Sequence, residues 1–412
     1  MIVYYSESLI KSRYAYYNSR WTNGYTDDLT PFPGIHTTDV TKKKALDMLD
    51  SAASSGNQFF MMVAPVAPHQ ETWHGTRPPP VPAAYRGKFS GAQAPRTGNF
   101  NPDSPSGASW VSNLKQLDGN QIETCDSTHE HRLGNIAAID DMVAEFIQKL
   151  DDQGILDNTY IIYTSDNGFH IGNHRMLPGK RCPYEEDINI PLLIRGPDVA
   201  KGAQSAIYNS HTDMSPTILQ MLNVPSRGDF DGAPLAYTAQ DLSSSTKNEL
   251  VNVEFWSSSK HAPAGLKAST YYNNTYKALR LMSGKESLFY STWCTGEREF
   301  YDMNTDLVQM DNRLGANAGN TSVQYYGRPF EQLIARLDSL LMVTKSCKQD
   351  SCRDPWGELF PGGEVTDLES ALDTQYDSFF ANQPQVSFSE CAGGYFPELE
   401  GAQTVNAFKH QQ

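Results

Sequence analysis

The stretch YIIYTSDNGFHIGNHRMLPGKR, Tyr160 to Arg181, decides how this chain folds. An apolar run stops at Asp166-Asn167-Gly168, and His170, His174 and Lys180 follow within fourteen residues. Asp-Asn-Gly between two strands is a hairpin signal. The residues after it, FHIGNHRMLPGKR, do not alternate as a returning strand should, which disfavours a hairpin. The competing reading is a strand whose carboxyl end carries a metal and anion site.

The flanks favour that second reading. Upstream, HRLGNIAAIDDMVAEFIQKLDDQGIL spaces Ile136, Ile139, Met142, Val143, Phe146, Ile147 and Leu150 as one helix face, closed by Gly154. Downstream, INIPLLIRGPDV, Ile188 to Val199, reads as a short buried strand, and HTDMSPTILQMLNVP as a helix capped by Asp213 or Ser215. Nearer the start, Thr37 to Asn57 forms an amphipathic helix capped by Thr38 or Asp39, with Val40, Ala45, Leu46 and Leu49 on its inner face and Gly56 at its end. QFFMMVAPVAPH follows it as a buried strand running into a proline-rich loop. Repeated helix-to-strand succession builds a parallel sheet.

Between these units, Gln70 to Glu130 is rich in Pro, Gly, Ser, Asn and Gln and reads as a long irregular excursion. Past about residue 237, ELVNVEFW, TYKALRLM, ESLFYSTW and REFYDM are short strands of an antiparallel meander, and RPFEQLIARLDSLLMVTKSC supplies a helix to pack on it. The expected division is 1–236, 237–346 and a tail, 347–412, with no structural assignment.

A formal net charge of −15 over 412 residues excludes a general nucleic-acid binder, whose partner demands a cationic surface. The longest apolar runs, such as Phe59 to Ala67, are broken by proline and fall short of the roughly 18 residues a membrane span needs. MIVYYSESLIKSRY has Ser, Glu and Lys where a secretion signal carries its apolar region. Asn273-Asn274-Thr275 and Asn320-Thr321-Ser322 are glycosylation sequons, and Cys347 and Cys352, five positions apart, suit a small disulfide loop. Cys125, Cys182, Cys294 and Cys391 are scattered.

Ligands of a parallel sheet bind outside the carboxyl ends of its strands. One such end carries His69, the other Asp166 and Asn167. A carboxylate beside an amide carbonyl is a hard oxygen pair suited to Ca²⁺ or Mg²⁺. Lys180 is a point charge suited to a tetrahedral oxyanion, and His69 can donate to that anion or protonate a leaving group. Taken singly, His69 reads equally as a packing histidine, and Lys180 as a solvated lysine.

In order, TDVTKKKALDMLD, FFMMVAPVAPH, the long loop, the Ile136 to Arg181 segment, YEEDINIPLLIRGP and TDMSPTILQMLNVP resemble the sulfatase family, nearest its fungal arylsulfatases and its N-acetylglucosamine-6-sulfatase-like branch. The resemblance implies an α/β fold of the alkaline-phosphatase-like type, a mainly parallel sheet sandwiched by helices with a smaller C-terminal antiparallel sheet plus helix. It implies hydrolysis of sulfate esters on a sulfated small molecule or glycan, with Ca²⁺, or alternatively Mg²⁺, as cofactor. Asp166 and Asn167 then match metal ligands, Lys180 the lysine that holds sulfate, and His69 the histidine beside the leaving oxygen. His170 and His174 lie in the same motif without an assigned role, and Arg175 and Arg181 read as solvated. The family's compartment is secreted, endomembrane or lysosome-like.

One departure bears on activity. The family's nucleophile is a formylglycine made from the cysteine of C-x-P-x-R, and none of the six cysteines here is followed by x-Pro-x-Arg. Cys182 begins CPYEE, and NVPSR, Asn223 to Arg227, has Asn at the nucleophile position. Asp27 and Asp28 of YTDDLTP fall in a loop and do not replace the family's early aspartates. The expectation is a chain shortened at its N-terminus and inactive as given. The alternatives are a phosphate or phosphonate ester hydrolase of the same superfamily and a non-catalytic binder of sulfated glycans.

Overall fold

The computed structural model describes residues 2–3, 15–21, 30–72, 75–244, 249–257, 274–315 and 324–410. Asp27, Asp28 and both sequon acceptors, Asn273 and Asn320, lie outside them. The chain divides into two compact units, one of residues 1–96, 117–161 and 195–197, the other of residues 97–116, 162–194 and 198–412.

The first unit is built on the helix Gly119–Asp152. Its first twelve residues, 119–130, fall in the segment expected to be irregular, because Asp118 and Gln121 form a reciprocal capping box: the Gln121 N–H donates to Asp118 Oδ1 at 3.0 Å and the Asp118 N–H to Gln121 Oε1 at 2.9 Å. Periodicity alone hid this start, since the first turns bury Cys125 and Thr128 rather than large apolar groups. Further along, Asn135 Nδ2 donates to the Pro80 carbonyl at 3.1 Å, and a Cβ on Gly134 would lie 2.7 Å from Val81. The helix thus turns a small and polar face to the proline-rich chain, while Ile136 and Ile147, expected inside, are 40% and 36% exposed.

The helix Thr37–Ser54 starts where expected, ends short of Asn57, and buries Val40, Ala45 and Leu49, with Leu46 half-buried. Its cap is His36, whose Nδ1 accepts from the Thr38 N–H at 3.3 Å, in place of the expected Thr38 or Asp39. The strand after it is only Phe60–Met61, parallel to Ile2–Val3. It is half-buried, and Met62 is 61% exposed, so the expected long buried strand is corrected. Pro65 and Pro68, which have no N–H for a ladder, follow within the same run.

The strands Ile161–Tyr163 and Leu193–Arg195 pair. The latter is not buried as expected, for Leu193 is 59% exposed. The meander is as expected: Leu250–Phe255, Tyr276–Ser283, Glu286–Trp293 and Arg298–Asp302 lie antiparallel in chain order. Alternation sends Leu279, Leu281, Tyr290 and Phe300 to one face, where Leu333, Leu337 and Leu341 of the helix Phe330–Thr344 cover them. Tyr276, Ala278, Phe289, Trp293 and Tyr301 point the other way, onto Val111, Met176, Cys182 and Tyr184. That second face is the floor of the loop that starts at Asp166.

The tail, for which the sequence offers no assignment, joins the first of these cores through Trp356, Leu359, Phe360, Leu368 and Phe380. Cys347–Cys352 is a disulfide, as expected, and a second disulfide, Cys294–Cys391, ties the meander to the tail across 97 positions. Glu400 completes a buried charge cluster, 3.2 Å from Lys277 and 3.7 Å from Lys345.

Candidate active site

Lys180 and Asn167 meet in a loop of the second unit. Lys180 Nζ donates to Asn167 Oδ1 at 2.7 Å and lies 3.7 Å from Asp166 Oδ2. The Asp166 side chain is 83% exposed, and that of Lys180 28%. Three of the four expected site residues therefore share one surface feature.

The loop closes by a local mechanism. His170 and Gly179 exchange N–H···O bonds of 2.9 and 3.0 Å, which brings Lys180 back toward Asn167. So the chain does return on itself, but it turns at Gly172 to Met176, where the Gly172 N–H donates to the Met176 carbonyl at 3.0 Å, and not at Asp-Asn-Gly. His174 and Arg175 take φ of 51° and 64° in that turn. Gly168 has no room for a side chain, since a Cβ there would lie 2.0 Å from the Glu186 carbonyl oxygen.

His174 is buried and stacks on Tyr184 at 4.1 Å; burial, with His170 nearby, pushes its pKa down to about 3, so the ring is neutral. It orders the turn. Arg175 is not solvated as expected: its guanidinium donates to the carbonyls of Pro102, Leu114 and Asp103 at 2.9, 2.9 and 2.6 Å, bracing the turn from outside. Arg181 is half-buried.

Two contributors were not singled out from sequence. Asp187, within YEEDINIP, holds His170 and the Cys182 N–H. His211, at the start of HTDMSP, places Nε2 2.9 Å from the Ser165 carbonyl, one residue before Asp166. Both stand in motifs rich enough in acids and histidines to be noticed, but only the fold puts them beside the loop.

His69 belongs to the first unit. Its Nδ1 lies 2.7 Å from the Gln70 carbonyl, and its own carbonyl accepts from Tyr16 Oη at 2.7 Å. A carbonyl only accepts, so Nδ1 carries the proton and Nε2 is the basic nitrogen of the neutral ring.

The donor set at the loop is an exposed carboxylate beside an amide oxygen already turned to a cation. Hard oxygen donors of this kind fit Ca²⁺ or Mg²⁺ and not a thiophilic metal. For a formylglycine the residues do not fit: among the six cysteines four are in disulfides, and Cys125 and Cys182 are buried and outside any C-x-P-x-R.

The fold is α/β of the alkaline-phosphatase-like class. The sulfatase family model matches residues 5–224, just over half of the chain. "Sulfatase ppz1" of Metarhizium majus (strain ARSEF 297) is 38% identical over 90% of this chain and 80% of its own length. An arylsulfatase of Volvox carteri is 30% identical over 94% of this chain, which spans 62% of that relative. Among solved structures, that of BT4656 in complex with its substrate D-glucosamine-2-N,6-O-disulfate aligns with a TM-score of 0.60 at 20% identity, over 76% of this chain and 71% of that one. The chain belongs to the sulfatase family.

Proposed function

We propose that this chain is a sulfuric ester hydrolase by lineage whose loop Asp166 to Lys180 holds the sulfate group and its counter-cation. The observation that carries it is the 2.7 Å contact of Lys180 Nζ with Asn167 Oδ1, which fixes an ammonium beside two hard oxygen donors. Asp166 and Asn167 would hold Ca²⁺ or Mg²⁺, and the cation, when bound, offsets sulfate charge. Lys180 grips a sulfate oxygen as a point charge. In an overall acidic chain of net charge −15, such local positive charge is what lets an anionic ester approach.

Hydrolysis of a sulfate ester breaks an S–O bond and returns a proton to the alcohol oxygen. The 412 residues contain no cysteine in a C-x-P-x-R context, so we assign this polypeptide binding of the ester without turnover. The name of the Volvox relative and the ligand of the BT4656 structure support aryl and glucosamine sulfates as the classes to test. Two disulfides support an oxidising compartment, secretory or lysosome-like. Calorimetric titration with 4-nitrophenyl sulfate in Ca²⁺, against 4-nitrophenyl phosphate, tests the reading. Preference for the sulfate supports it, and preference for the phosphate replaces it with the phosphoester alternative.

A further inference from the structure

Asp187 ties together both limbs of the loop that carries the site. Its carbonyl accepts from the Gly168 N–H at 2.8 Å, next to Asn167. Its Oδ1 accepts from the His170 N–H at 3.0 Å, and its Oδ2 from the Cys182 N–H at 2.8 Å, two residues past Lys180. The His170 ring completes the set, with Nδ1 2.9 and 3.0 Å from the two carboxylate oxygens. Both side chains are buried, at 6% and 3% exposure. In this arrangement one carboxylate anchors the outgoing limb at residue 170 and the returning limb at 182, while the backbone carbonyl of the same residue holds the outgoing limb at 168.

We infer that His170 and Asp187 are a positioning pair that sets the separation of Lys180 from the Asp166 and Asn167 oxygens, so that sulfate and cation affinity stand or fall together. This rests on those residues holding sulfate and cation as proposed above. Neither His170 nor Asp187 touches the ligand; they act through the backbone on either side of the groups that do. The pair adds a buried tie to the His170–Gly179 bridge and the half-exposed Lys180–Asn167 hydrogen bond, through which the return limb also meets the outgoing one.

A metal centre is the competing reading, since His170, Cys182 and Asp187 offer ligand atoms within 4.8 Å of one another, with Met176 Sδ 3.5 Å from Cys182 Sγ. The hydrogen bonds weigh against it. A cation there would draw Asp187 away from two backbone N–H groups and the ring N–H, leaving buried donors unpaired. It would also need a thiolate where burial, with Asp187 alongside, pushes the Cys182 thiol well above its usual range.

The test is calorimetric titration of the full chain with CaCl₂, and in Ca²⁺ with 4-nitrophenyl sulfate, for wild type, Asp187→Asn, His170→Ala and His170→Asn. Amide hydrogen exchange of residues 168–182 is measured alongside without ligand. Asp187→Asn and His170→Ala should weaken both ligands together, by about 10- to 100-fold, as when a partner behind a ligand group is removed. They should also speed exchange at Gly168, His170 and Cys182. His170→Asn keeps an N–H near the position of Nδ1 and should recover most of both affinities, which a loss of packing alone would not do. Should Asp187→Asn fail to fold, the contrast of His170→Ala with His170→Asn carries the same decision. Wild-type affinities in Asp187→Asn and His170→Ala overturn the inference, as does stoichiometric zinc held by wild type and lost in Cys182→Ser. Wild type that takes up neither Ca²⁺ nor aryl sulfate defeats the functional reading itself, and unchanged exchange in the variants then defeats the positioning pair separately.

Discussion

Lys180 Nζ and Asn167 Oδ1 lie 2.7 Å apart across thirteen positions of sequence, held there by a turn at Gly172 to Met176. Within this loop the ammonium bridges an amide oxygen and, at 3.7 Å, a carboxylate. Bringing a tetrahedral anion to this point exchanges an ammonium–amide contact for an ammonium–anion one, in which both partners are charged.

Lys180→Ala should therefore weaken 4-nitrophenyl sulfate binding by about 10- to 100-fold, the worth of a hydrogen bond to a charged group. Ca²⁺ binding should not weaken and should tighten, because the ammonium no longer occupies Asn167 Oδ1 or repels the dication. Lys180→Arg should not restore affinity, since a rigid planar fork cannot take the place of a compact ammonium at the same reach. Parallel titrations of the two ligands check all three outcomes.

Asp166→Ala should lose Ca²⁺ affinity by more than about tenfold, because the carboxylate brings the charge that a hard dication requires. Its carboxylate is 83% exposed, so folding stability should be nearly unchanged. Calorimetry with CaCl₂ and a thermal melt separate the two effects.

Beneath the loop, Glu299 is fully buried, accepting from Tyr184 Oη at 3.2 Å and Ser291 Oγ at 3.3 Å. Burial pushes its pKa up to about 7 from 4.5. The folded state thus holds a proton the unfolded state releases earlier. Its contribution to stability is full below pH 4.5 and is lost as pH rises through about 7, a change on the order of 3 kcal/mol. Glu299→Gln should flatten that part of the wild-type profile in urea unfolding measured across the same window. An unchanged difference between acidic and neutral pH would contradict it.

The disulfide Cys294–Cys391 closes a loop of 97 positions, whereas Cys347–Cys352 closes one of five. Constraint of the unfolded chain grows with loop length, so Cys391→Ser should cost about 2–5 kcal/mol and Cys347→Ser distinctly less. Thermal melts of the two variants under non-reducing conditions compare them.

Sequence made some of this legible and hid the rest for physical reasons. The meander and the helix Phe330–Thr344 were readable because alternation and 3.6-residue spacing report burial directly. Asp166, Asn167 and Lys180 were readable because their types match a cation and an oxyanion, and the loop brings all three together. Asp187 was not, because its importance lies in accepting backbone N–H groups from residues up to nineteen positions away, which no local pattern encodes. Arg175 was misread for the same reason, its partners being carbonyls at Pro102, Asp103 and Leu114. The start of the helix at Gly119 was written in a capping box rather than in hydrophobic period, and the tail's place in the core rests on Trp356, Phe360 and Phe380 scattered through a Gly- and Pro-rich stretch.

The most direct measurement is a titration of 4-nitrophenyl sulfate into the 412-residue chain and its Lys180→Ala variant, both in Ca²⁺, with nitrophenol release followed in the same samples. Wild type should bind saturably, the variant should bind at least about tenfold more weakly, and neither should release nitrophenol. Equal affinity in the two proteins, or Ca²⁺-dependent nitrophenol release by wild type, would contradict the proposed function.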